Sequence, residues 1–146
     1  MQLSTQIADH LKQVYFGGNW TSSHLQDQLK DVDWKMATTR IYDFNTIAQL
    51  VYHVNYFVKV VIPVLEGKPF DAHDKYSFDH PPIENQQDWE RFLESVFQDG
   101  NRLAELIEQM SEEEIKGPFI DPKYGHYHRI LVGTIEHFHY HLGQIV

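Results

Sequence analysis

The sequence predicts an all-α protein built as a four-helix bundle, on three observations. Apolar residues recur at steps of three and four in four long segments, no run of useful length alternates apolar with polar residues, and glycine and proline punctuate the segment ends. At 146 residues, 42% hydrophobic and 14% aromatic, the chain is expected to fold as one domain over residues 1–146. Such a domain buries about two-thirds of its unfolded surface.

The first segment runs from about Ser4 to Phe16, with Ile7, Leu11, Val14 and Tyr15 on one face, and Gly17-Gly18 ends it. The connection from Asn19 to Phe44 is long and is expected to hold a short helix around Ser22 to Leu29. The second segment opens near Asn45-Thr46, where Thr46-x-x-Gln49 has capping-box spacing. It carries Ile47, Leu50, Val51, Val54, Phe57, Val58 and Val61 at helical steps. Pro63 should kink its last turn, and Gly67 followed by Pro69 stops it. The third segment, about Gln86 to Met110, presents Trp89, Phe92, Leu93, Val96, Leu103, Leu106 and Ile107. The link Lys68 to Asn85 before it exceeds the roughly 2–8 residues usual between antiparallel neighbours, which implies a crossover between parallel helices. Ser111-x-x-Glu114 is a second capping box, opening a short turn before Gly117-Pro118. The fourth segment runs from about Tyr127 to the C-terminus with Ile130, Leu131, Ile135, Phe138, Leu142 and Ile145 inward.

Charge and composition exclude several functions. Twelve basic residues against 21 acidic ones give a formal charge of −9, opposite in sign to what a phosphate-backbone binder needs. The absence of cysteine removes disulfides, thiolate nucleophiles and cysteine-based zinc sites. Met1-Gln2-Leu3-Ser4-Thr5-Gln6 has neither the basic start nor the apolar run of a signal peptide. No uninterrupted run reaches the roughly 18 apolar residues of a membrane span. The expectation is a soluble, acidic, cytoplasmic domain with neither nucleic acid nor membrane as partner.

Ten histidines then stand out, and position separates them. His137 and His141 are four residues apart in the last segment, so they project from one helix face about a turn apart and can reach one ion. His139 lies about 200° round and cannot join them. His53 sits between Val51 and Val54 in the most apolar segment. A buried neutral histidine with both ring nitrogens satisfied is the alternative for it. Three imidazoles from two helices match the way bundles build metal sites, and they leave a coordination position open, as catalytic sites do. A ligating imidazole usually donates its other N–H to an oxygen; Asn55, Gln144 and Glu136 are the nearby polar candidates. His10 and His24 fall on polar, exposed positions, and His73 and His80 belong to a solvated connection. His126 and His128 open the last segment, where a histidine serves as a cap or lines a pocket, and His128 is off the ligand face.

His53, within Ala48-Gln49-Leu50-Val51-Tyr52-His53, paired with His137-x-x-x-His141-x-Gly143-Gln144, resembles the DinB-like superfamily of DNA-damage-inducible proteins. The stretch from Asp71 to Pro82 is similar to that of a bacterial subgroup of this superfamily. The resemblance implies up-down-down-up connectivity, a homodimer, and a zinc, nickel or similar divalent ion on the three histidines. It further implies thiol S-transferases or isomerases that act with a low-molecular-weight thiol held as thiolate by the ion. Against its relatives the chain stops early, five residues past His141, so its last turn is expected to fray unless packing holds it.

Three functions remain at this point. The first is a metal-dependent enzyme, a thiol S-transferase or hydrolase, acting on a small molecule. The second is a non-catalytic metal-binding stress-response or interaction protein, and the third makes the histidines a polar core network. A cavity of roughly 300 Å³ or more reaching the ion favours the enzyme over a closed site.

Overall fold

Side-chain caps set where most of the helices begin. The computed structural model describes residues 2–146, and Thr46 and Ser111 both form complete capping boxes, with Gln49 and Glu114 respectively. Asn85 caps the third long helix by accepting from the Asp88 amide. The helices are α1 (Leu3–Phe16), α2 (Leu25–Leu29), α3 (Trp34–Thr38), α4 (Ile47–Leu65), α5 (Gln86–Glu108), α6 (Glu112–Lys116) and α7 (Tyr127–Ile145). Single 3₁₀ turns lie at Asp74–Tyr76 and Pro122–Tyr124. The one sheet-like pairing among the described residues is an isolated bridge between Pro118 and His126.

The four long helices form the bundle. α1 packs on α5 and α7, and α4 packs on the same two from the other side, so α1 and α4 face each other across the diagonal. The core between them is apolar: Ile7, Leu11 and Val14 from α1, Val51, Val54, Val58 and Val61 from α4, Trp89, Val96, Leu103 and Ile107 from α5, Leu131, Ile135, Phe138 and Leu142 from α7. The contact of α1 with α5 is close because Gly100 has no side chain. A Cβ there would lie 2.6 Å from the ring of Tyr15, which is fully buried.

Three elements differ from the sequence expectation. The short α2 starts at Leu25, with His24 as its N-cap accepting from the Asp27 amide, so His24 has a structural use. α3 was not anticipated; Asp33 caps it, and Trp89 fastens the irregular stretch before it by donating its indole N–H to the Val32 carbonyl. α4 is 19 residues with mean hydropathy 1.4, long and apolar enough to cross a membrane despite the lack of an uninterrupted apolar run. Its packing against α5 and α7 accounts for that composition, since Val51, Val54, Val58 and Val61 are core residues. At the other end of the chain α7 remains helical through Ile145, and the Val146 amide bonds to the carbonyl of the buried Leu142.

Candidate metal centre

α4 and α7 are neighbours in the bundle, and this brings His53 to His137 and His141. One ring nitrogen from each lies within 4.8 Å of the other two. The ring centroids are 4.9 Å apart for His53 and His137, 4.6 Å for His53 and His141, and 4.5 Å for His137 and His141.

Hydrogen bonds fix which nitrogens converge. His53 Nδ1 is 3.0 Å from Ser77 Oγ, and the Ser77 hydroxyl donates to the Asp74 carbonyl at 2.7 Å. With its proton used there, Ser77 accepts from His53 Nδ1–H, which leaves the His53 Nε2 lone pair free. That atom points at His137 Nε2, 3.1 Å away. His141 Nδ1–H donates to Gln144 Oε1 at 2.6 Å, freeing its Nε2 in the same way. A tetrahedral ion with metal–nitrogen bonds of about 2.0–2.1 Å holds its nitrogens about 3.3 Å apart, close to the spacing of the two Nε2 atoms. The donor set therefore fits a divalent ion, and two of its three imidazoles carry the oxygen partner that orients a ligand.

Electrostatics favours the form a metal needs. Burial, together with the neighbouring His141, pushes the His53 pKa below its usual value, against small opposing effects of Ser77 and Asp74. Burial pushes His137 down to about 4, with His141 and His53 adding to the shift. Neutral imidazoles with available lone pairs are the ligating species.

The long connection between α4 and α5 is largely exposed, His73 included, but its Ser77 and Phe78 reach in over this centre. Besides Ser77 it supplies Phe78, whose ring lies flat on His53 at 4.0 Å between centroids and 5° between planes. The His73 amide of the same connection is tied to α4 by donating to the Tyr56 hydroxyl. Neither Ser77 nor Phe78 was anticipated. A serine and a phenylalanine in an aperiodic connection carry no signal in themselves, although the aromatic density of residues 70–80 is unusual for a solvated loop.

Of the three polar residues expected beside the ligands, only Gln144 is there. Asn55 sits two residues from His53, about 200° round α4, and its Nδ2 donates to Asp99 on α5 at 2.8 Å. Glu136 precedes His137 directly and is exposed. His139 lies near His10 on the α1 side, ring centroids 6.4 Å apart.

A cavity of about 710 Å³ opens beside the triad and has His137 in its wall. Phe57, Phe70, Phe119 and Tyr124 give it aromatic sides, and the last three also pack against one another with centroids 5.5–6.1 Å apart.

Fold and site together define a helical bundle with a three-histidine centre that can hold a metal ion. The family model of the DinB superfamily matches residues 22–145, and the chain belongs to that superfamily. No curated protein and no solved structure matches the chain.

Proposed function

We propose that the protein is a metal-dependent enzyme, of thiol S-transferase or hydrolase type, with a divalent ion on His53, His137 and His141. One observation carries the reading: three imidazole ring nitrogens converge where His137 borders a cavity of about 710 Å³, well above the few hundred Å³ that admit a small molecule. When bound, a divalent ion on three neutral ligands lowers the pKa of a water or thiol at its open position and makes it a nucleophile near neutral pH. The protein's share is to present Nε2 of His53 and His141 through Ser77 and Gln144, and to exclude water with Phe78 and Phe57. Zinc and nickel are the proposed ions, since three imidazoles suit both. A cytoplasmic location, a low-molecular-weight thiol as substrate and a homodimer belong to the same proposal. A metal-binding protein without turnover would hold the same ion but gains nothing from the cavity.

The test is metal content and ion-dependent stability of protein purified without chelators. One equivalent of ion is expected, and free zinc or nickel at a hundredfold excess over Kd should stabilise the fold by about 2.7 kcal/mol. A variant with His53, His137 and His141 all changed to alanine should fold and show no stabilisation. Metal-free protein that responds to neither ion, or a triple variant that responds as the parent does, overturns the proposal.

A further inference from the structure

We infer that the cavity beside His137 binds a small organic anion, its charge held by Arg129, Lys75 and Lys123 and its apolar body lying over Gly133 toward the triad. The inference deepens the metal-centre reading and rests on it only for which end of the ligand meets the ion.

The pattern begins on α7. Arg129, Gly133, His137 and His141 follow one another at four-residue steps, so they form one slowly drifting stripe along the helix. Its order is a cation, a position without a side chain, then two candidate ligands. A Cβ added at Gly133 would meet nothing within 4 Å, so this glycine accommodates no neighbouring side chain. It lines the cavity, as do Arg129 and His137. At 1.5 Å per residue the eight residues from Arg129 to His137 span about 12 Å, which sets a ligand length on the order of 10 Å.

Charge at this cavity runs against the rest of the chain. The whole protein has 12 basic and 21 acidic residues, yet the cavity wall carries Lys75, Lys123 and Arg129 against the single carboxylate of Asp74. His73, also in the wall, is paired with Asp71. Lys123 is partly neutralised by Asp121 at 3.1 Å. Arg129 and Lys75 form no ion pair among the described residues; the Lys75 ammonium lies over the Tyr76 ring. Arg129 also stands in the first turn of α7, which has no acidic residue and no side-chain cap. A cation at the positive end of a helix dipole is locally unfavourable, so its position there costs stability that a bound anion would recover. An arginine fork suits a carboxylate or phosphate, and the aromatic sides suit an apolar body.

The experiment titrates full-length protein with 4-phenylbutyrate and phenyl phosphate by calorimetry. The uncharged 4-phenylbutanamide and the short butyrate serve as references, and each titration is run on both chelator-treated and zinc-loaded protein. At least one aromatic anion should bind, about tenfold or more tighter than the amide, and more weakly as salt rises. Amide shifts in nitrogen-15 spectra should centre on Gly133 and Thr134. Lys75→Ala with Arg129→Ala, both at exposed positions, should cost about tenfold for the anion and nothing for the amide. Gly133→Leu should block both ligands while leaving zinc binding intact. Equal affinity for anion and amide, an indifferent double variant, shifts centred elsewhere, or no saturable binding of either anion at tens of millimolar overturns the inference. The chelator-treated titration reads the cavity alone, so its outcome is separate from whether the triad holds metal.

Discussion

α4 carries two polar residues into the core two positions apart, and they build opposite kinds of environment. His53, on the side toward α7, has one nitrogen engaged by Ser77 and the other aimed at His137 across 3.1 Å. Its surroundings leave lone pairs converging beside a large cavity. Asn55, on the side toward α5, donates to Asp99 and has its carbonyl oxygen buried without a partner. The hydroxyl of Tyr15 is likewise buried and unpartnered, and burial, with Asp99 adding to it, holds its pKa far above the ordinary value. The cleft beside Asn55 is smaller, about 290 Å³. Buried polarity alone therefore does not mark a site. The difference lies in whether lone pairs converge on a common point, as at the three histidines, or stand singly, as on Asn55 Oδ1.

Two substitutions separate these environments. Ser77→Ala removes the acceptor of the His53 Nδ1–H and should weaken zinc or nickel binding by about 10–100-fold, the usual cost of losing such a partner. Its effect on the metal-free fold should be small, because the ring still packs on Phe78. Competition with a chelating dye measures the first and urea unfolding the second; unchanged metal affinity would mean that Ser77 does not orient the ligand. Asn55→Ala should do the reverse. Loss of its bond to Asp99 should cost about 1 kcal/mol of unfolding free energy and leave metal affinity as it was. A joint loss of metal binding would show that the two sides of α4 are coupled. Gln144→Ala comes next in size, with a metal effect in the direction of Ser77→Ala but smaller, since Gln144 is exposed and water can replace it.

Legibility in the sequence followed the same division. The four long helices were readable because each buries an apolar stripe of helical period, and two of them, α4 and α5, also start on a side-chain cap, as Thr46 with Gln49 shows most completely. The three candidate ligands were readable because His137 and His141 share a helix face and His53 interrupts an apolar one. What surrounds them was not. Ser77 and Phe78 reach His53 through a connection whose path is set by tertiary contacts such as the Tyr56 hydroxyl to the His73 amide. Asn55 looked close to His53 in sequence, yet two residues along a helix is nearly the opposite face. Gln144, three residues from His141, was within reach by the same geometry. α3 escaped because five residues between two irregular stretches are too short for periodicity to register.

Acid titration of the metal-free protein gives the finest separation of the two environments. The folded state keeps His137 neutral down to about pH 4, and holds His53 and His139 below their usual values as well, in each case mainly through burial. In the unfolded chain these imidazoles take up protons near pH 6.5. Between about pH 6.5 and 4 the unfolded state therefore binds more protons, so stability must fall as pH falls through that window. Replacing His137 by leucine should flatten the decline measured by urea unfolding at successive pH values, by the share this one residue contributes. His139→Ala should remove a further, smaller share without touching the three-histidine group. Asn55→Ala, which titrates nothing, should lower the whole curve and leave its slope unchanged. A parent slope that persists in His137→Leu would mean that the depressed titration lies elsewhere, and that the triad is more open to water than its packing under Phe78 implies.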